Sequence, residues 1–155
     1  MNLQRREALK AGGGLGLFGL LAAAGLITPG QARAEWNKSA FDAKTIEETL
    51  KALGAGTPAN SADVQLTAPD IAENGAVVPV GVVSALAGVE AIAILIEKNP
   101  NPLAASFVLP AGTEATVQTR VKMGQTSDVY ALVKVGGQFL MAKKEIKVTL
   151  GGCGG

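Results

Sequence analysis

The 155-residue sequence has no histidine, a single cysteine and only 4% aromatic residues. Without histidine, a Cys-His nucleophilic pair cannot form within the chain. One cysteine and no histidine also exclude zinc and copper sites of the ordinary kind, and the lack of a C-x-x-C pair excludes a thioredoxin-like dithiol mechanism. Charged residues make up 17%, nearly balanced at 14 basic and 13 acidic, so neither nucleic acid nor an anionic membrane is favoured as a partner. No cofactor is expected.

What is present begins with an apolar leader. Residues 1–34 have a basic start at Arg5, Arg6 and Lys10. An apolar run over 11–28 follows, interrupted by six glycines, then Pro29, and then Ala32-Arg33-Ala34. That order fits an export signal with an A-x-A cleavage site and predicts a mature chain starting at Glu35 in the periplasm. The 18-residue run is within the usable length of a membrane anchor, but its glycines and the cleavage site favour removal. Arg5-Arg6 followed by Leu9-Lys10 resembles a twin-arginine signal, although Gln4 and Ala8 depart from the usual pattern. Residues 1–34 hold four of the basic residues and one of the acidic ones, so cleavage leaves a net charge of −2.

Beyond the leader, residues 39–56 read as one N-terminal helix. Ser39 is placed to cap it with Asp42 three residues on, Phe41, Ile46, Leu50 and Leu53 share a face, and Gly54 and Gly56 end it. From Asp63 the texture changes to short runs rich in Val, Ile, Thr and Leu. Strands are expected at 64–66, 76–84, 89–97, 104–109, 115–123, 128–135, 138–142 and 145–150. Turns are marked at Asn74-Gly75, Asn99-Pro100-Asn101-Pro102, Gly124-Gln125 and Gly136-Gly137. Val117, Val121 and Met123 alternate with Gln118, Arg120 and Lys122, as on a strand with one wet face. Residues 91–96, AIAILI, are apolar on both faces and predict a central strand; Pro79 implies an edge or a bulge. The expected fold is all-β: an immunoglobulin-like β-sandwich over 35–150 with one N-terminal helix, no internal disulfide, and a flexible Gly-rich arm at 151–155.

Polar side chains give few catalytic candidates. Asp63, Asp70 and Glu73 fall in loop-like sequence and read as solvated surface rather than an acid/base pair. Lys143, Lys144, Glu145 and Lys147 could attract an anion or a partner, but fit better as the wet face of a strand.

The remaining feature is the terminal GGCGG, in which Gly151, Gly152, Gly154 and Gly155 surround the only cysteine, Cys153. Glycine costs the most conformational entropy to order and offers no side chain to pack, so this segment does not belong to a core. A lone thiol in an exported chain implies an intermolecular bond or a reactive group. No base accompanies it, so it is expected to titrate near the ordinary thiol value of about 8.5 and to be activated only in another protein's site. Five glycine-rich residues reach at most roughly 17 Å, enough to enter a cleft while the domain stays outside. Cys153 is then a covalent attachment point for substrate, carried on the arm to enzymes. The rival reading is an exported interaction domain stapled to another chain by a disulfide through Cys153.

These features resemble the SoxY family, the sulfur-carrying subunit of the SoxYZ complex in thiosulfate oxidation. The terminal GGCGG matches the family's carrier motif residue for residue. The resemblance implies a carrier rather than an enzyme, with sulfur species linked covalently to Cys153 and a SoxZ-like subunit as heterodimer partner. It further implies a c-type cytochrome (SoxXA) that conjugates thiosulfate, a hydrolase (SoxB) that releases sulfate, and a sulfane dehydrogenase (SoxCD) that oxidises the remaining sulfur.

Overall fold

Two sheets face each other across a layer of valine and isoleucine. The computed structural model describes residues 37–149; residues 1–34, where an export signal is expected, with Glu35 and Trp36, and residues 150–155 lie outside them. The helices are α1 (Lys38–Asp42) and α2 (Ile46–Leu53). The strands are β1 (Ala59–Asn60), β2 (Val64–Thr67), β3 (Ile71–Ala72), β4 (Val78–Ser84), β5 (Val89–Ile96), β6 (Leu103–Val108), β7 (Thr116–Val121), β8 (Ser127–Val135) and β9 (Gln138–Val148). The larger sheet runs β1-β9-β8-β5-β6 with β3 also paired to β9, and the smaller runs β2-β4-β7. This is the immunoglobulin-like sandwich expected from the strand spacing.

Side-chain alternation decides what each sheet buries. In β4, Val78, Val80 and Val82 point inward, where they meet Ile92, Ile94 and Ile96 of β5, Val129, Ala131 and Val133 of β8, and Ile146 of β9. The other face of β5 and β8 is also dry. Ala93, Leu95 and Leu132 lie under Ala40 and Phe41 of α1 and Ile46, Leu50 and Leu53 of α2. AIAILI is therefore apolar on both faces because β5 is sandwiched twice, by the small sheet and by the helices.

The single helix expected at the N-terminus is two. Asn37, not Ser39, caps α1, with its side chain accepting from the Ala40 N–H at 3.1 Å. α1 stops after five residues, and Asn101 from a distant loop donates its Nδ2 to the freed carbonyls of Phe41 (2.9 Å) and Ala43 (3.4 Å). Thr45 then starts α2, its Oγ1 accepting from the Glu48 N–H at 3.1 Å while Glu48 accepts from the Lys44 N–H at 2.9 Å, a variant of the capping box. Thr-x-x-Glu was present in the sequence, but only the long-range Asn101 contact makes the break before it favourable.

The two strands expected at 138–142 and 145–150 are one continuous β9. Lys143 and Lys144, which read as an interruption, point to opposite faces and find separate partners: Lys143 pairs with Asp128 at 3.0 Å and Lys144 with Asp70 at 2.9 Å. β8 and β9 are joined by Gly136-Gly137, both at positive φ (55° and 77°), with Val135 opposite Gln138. That is the two-residue turn whose twist matches the flanking strands, as the Gly-Gly pair indicates. Pro79 sits in a central strand, but β2 reaches only as far as Gly81, so at Pro79 β4 is flanked by β7 alone. A local edge accommodates the missing N–H.

Ile94 is fully buried between the sheets. Ile94→Ala is expected to lower unfolding free energy by about 2–5 kcal/mol in urea titration, from lost burial plus the cavity left behind. A loss under about 1 kcal/mol would mean that the inter-sheet layer is not the stabilising core.

Candidate functional site

The domain delivers its chain to the terminal segment through the last turn of pleat in β9. β8 pairs with β9 only as far as Ser127 opposite Ile146. One residue beyond, the β8 backbone has turned away, and the Thr126 side chain replaces it: its Oγ1 accepts from the Val148 N–H at 3.0 Å. The opposite edge is held by β3, which runs parallel to β9 with Ile71 opposite Lys147 and Ala72 opposite Val148. There the Lys147 N–H donates to the Asp70 carbonyl at 3.0 Å and the Thr149 N–H to the Ala72 carbonyl at 3.1 Å. The Thr149 hydroxyl lies 3.4 Å from the Glu73 carbonyl and 3.5 Å from that of Ala72, as donor to both.

The turn after β3 packs against this strand end. Asn74 closes it, its side chain accepting from the Ala76 N–H at 2.9 Å. Gly75 is buried there and its carbonyl accepts from the Met123 N–H at 2.7 Å. A Cβ on Gly75 would lie 2.4 Å from the Met123 carbonyl oxygen and 2.8 Å from Val148 Cγ1, so only glycine allows this approach. Asn74-Gly75 was legible as a turn, but the use of Gly75, Thr126 and Thr149 to hold the end of β9 was not. A two-residue β3 gives no periodicity, and a threonine that bonds a backbone 22 residues away leaves no local signature.

The other sequence candidates resolve as surface chemistry. Asp63 accepts from the Ser61 hydroxyl at 3.2 Å, and Glu73 contributes its backbone carbonyl. Asp70 is 88% exposed, and its carboxyl is held below the usual range first by the hydrogen bond from Lys144 and then by that cation's charge. Lys144 also donates to the Ala68 carbonyl, tying the 68–70 segment to β9. The hydrogen bond to Asp128 raises Lys143, which also lies 5.7 Å from the centre of the Tyr130 ring. The lysine cluster is thus largely engaged within the domain. Among the described residues no three Cys, Asp or Glu side chains converge to hold a metal ion, and no helix is long and apolar enough to cross a membrane. Cys153, Gly151, Gly152, Gly154 and Gly155 lie outside the described residues.

One apolar groove of about 560 Å³ opens between α2 and the large sheet, lined by Ile46, Leu50, Leu95, Tyr130, Leu132 and Met141 among others. Tyr130 is the lining residue nearest to the end of β9 along the strands, and it sits opposite Lys143, six residues before Thr149. At about 3.4 Å per residue that is roughly 20 Å. Four residues from Thr149 to Cys153 extend at most about 14 Å.

Comparison with known proteins agrees with the architecture. The family described as sulfur oxidation protein SoxY matches residues 50–153. The chain belongs to the SoxY family. The solved structure of the sulfur carrier protein SoxY from Chlorobium limicola f thiosulfatophilum is 35% identical, with a TM-score of 0.57 over 64% of this chain and 93% of that one. A superoxide reductase (neelaredoxin) from Ignicoccus hospitalis shares the fold alone, at 18% identity and a TM-score of 0.51 over 56% of this chain and 80% of that one. No curated protein matches. As a SoxY protein, the chain has a carrier role in sulfur oxidation and is not itself a catalytic enzyme, working with the partners of that process.

The Asp70–Lys144 pair fastens the loop that carries β3 to β9, and its sign with pH follows from the lowered carboxyl. The folded-state value lies below the ordinary 3.8, so the contribution is complete above about pH 4 and is lost as pH falls through the folded value. The thermal midpoint of Asp70→Asn should therefore lie below that of the unaltered chain at pH 6, with the gap closing below pH 3.8. An equal gap at pH 2.5 would remove the ion pair as its source.

Proposed function

We propose that Cys153 is the covalent attachment point for sulfur intermediates and that residues 151–155 are the arm that presents them to partner enzymes. The observation that carries the reading is a lone thiol between glycine pairs, four residues beyond the held end of β9, in a SoxY-family chain whose match runs to residue 153. The glycines keep the arm slender and free of side chains that would obstruct a cleft. The domain supplies neither a histidine nor a second cysteine, so activation of the thiol falls to the enzymes that receive it.

The cargo we propose is thiosulfate-derived. The Cys153 thiolate and the outer sulfur of thiosulfate join in a new S–S bond, and the two electrons released pass to a c-type cytochrome such as SoxXA. Water then splits the terminal S–S bond of the adduct in the site of a hydrolase such as SoxB, releasing sulfate and leaving a persulfide on Cys153. A sulfane dehydrogenase such as SoxCD oxidises that outer sulfur with three waters to an S-sulfonate on Cys153, its six electrons passing to a cytochrome acceptor, and a second hydrolysis releases it as sulfate and returns the thiol. We further propose a SoxZ-like subunit as heterodimer partner, and a periplasmic setting reached through the export signal at 1–34, cleaved before Glu35. Intact and native mass spectrometry on protein from the native host reads the start of the chain, the adduct and the partner together. The expected result is a chain beginning at Glu35, with sulfur-containing mass additions on Cys153 and a second small subunit. A full-length chain recovered from washed membranes would overturn the processing.

Arm and thiol separate by substitution. Cys153→Ser is expected to abolish sulfur loading, since a hydroxyl cannot replace sulfur in an S–S bond. Gly151→Pro and Gly152→Pro keep the thiol but fix φ and thicken the arm. Alkylation by a small reagent should survive in both, thermal stability should not change, and turnover by partner enzymes should fall. Full turnover in the proline variants would favour a disulfide staple over a delivery arm.

A further inference from the structure

The end of β9 is fastened more heavily than strand pairing requires. Past the last rung with β8, the Val148 N–H is taken by a side chain, Thr126 Oγ1, at 3.0 Å. The Thr149 N–H and hydroxyl both turn to the carbonyls after β3, and Gly75 lets the turn close directly on Val148. Frayed strand ends are the usual outcome where a neighbour departs, because the exposed amides can bond to water. Here both edges are continued for two further residues after β8 has left.

We propose that Thr126, with the Ala72–Glu73 carbonyls and Gly75, is a positioning clamp for the carrier arm, fixing its pivot at Thr149. The inference rests on the reading of Cys153 as the carrier thiol. Held at Thr149, the thiol sweeps a radius of four residues. Released at Val148 and Thr149, the arm lengthens to six, and the pivot retreats along β9. For a tethered group the effective concentration at a docked site falls as about the −3/2 power of tether length, so this change lowers it about twofold. Thr126 acts through the backbone of Val148 and touches no cargo.

The test uses the full mature carrier with Thr126→Val, which removes the acceptor at nearly constant shape, and Thr126→Ser, which retains it. Amide exchange at Val148 should be at least about tenfold faster in the valine variant and return toward the original rate in the serine variant, since only the valine leaves that N–H without its protein acceptor. Nitroxide labels on Cys153 and on Val108→Cys, an 81% exposed site on β6, should show a distance distribution broadened by several ångströms in the valine variant alone, about the span of one to two residues. Sulfate release from the thiosulfate adduct by the hydrolase should lose about twofold in kcat, with KM for the carrier unchanged.

A lower thermal midpoint in Thr126→Val with unchanged exchange and unchanged label distances would mean that Thr126 only stabilises the domain, and the clamp would be wrong. Gly75→Ala provides an independent disturbance from the opposite edge and should broaden the same distribution; no broadening there overturns the role of the turn. The carrier reading stands or falls separately, on whether Cys153→Ser abolishes loading.

Discussion

β9 is hydrogen-bonded along both edges by strands of very different length, and the course of the chain up to Thr149 depends on that arrangement. On one side β8 pairs with it from Gln138 to Ile146. On the other, two short parallel strands, β1 and β3, take opposite ends at Leu140–Met141 and Lys147–Val148. An edge strand ordinarily exposes a row of unpaired amides that invites association with another chain. Here the two short strands cover part of that row, and the segment between them turns away to supply β2 to the other sheet. The same folding-over that closes the sandwich thus also holds the end of β9.

The division of chemistry follows from composition. A chain without histidine lacks the side chain most often used for proton transfer near neutral pH. The carboxylates and lysines that might have done so are paired with each other: Asp128 with Lys143, Asp70 with Lys144, Glu90 with Lys134. These are exposed pairs of small energetic value, and their effect is to occupy charges that would otherwise be free to act on a bound anion. A carrier of the kind proposed releases its cargo to several enzymes in turn. A strongly activated thiol or a private binding pocket would favour one stage of that sequence over the others.

Much of the fold could be read from local pattern because local pattern and tertiary structure agree there. AIAILI is a central strand, Gly136-Gly137 is a two-residue hairpin turn, and the alternation from Val117 to Val121 points one face of β7 into the core. The errors fall where a distant residue decides. Asn101 takes the carbonyls of Phe41 and Ala43 where α1 ends, and unbroken pairing with β8 from Gln138 to Ile146 keeps β9 continuous. For the candidate site, Cys153 and its glycines stood out in the sequence because they are so unlike the rest of it. The groups around the end of β9 did not, because Thr126, Ala72 and Gly75 acquire their role only when the 72–75 and 123–126 segments meet at Val148 and Thr149.

The length of the proposed arm has meaning only in relation to a fixed origin. A chain of four residues from a fraying strand would have no definite reach, since each residue released from the ladder would add about 3.4 Å to the radius. Held at Thr149, the same four residues of the proposed arm give a reach of about 14 Å from one end of the sandwich, a pivot that lies roughly 20 Å along the strands from the apolar groove under α2. On the proposed reading, an enzyme that acts on Cys153 approaches the end of the domain where β3, the Asn74-Gly75 turn and Thr126 meet. The surface that fixes the arm is then the same surface that a receiving active site must face.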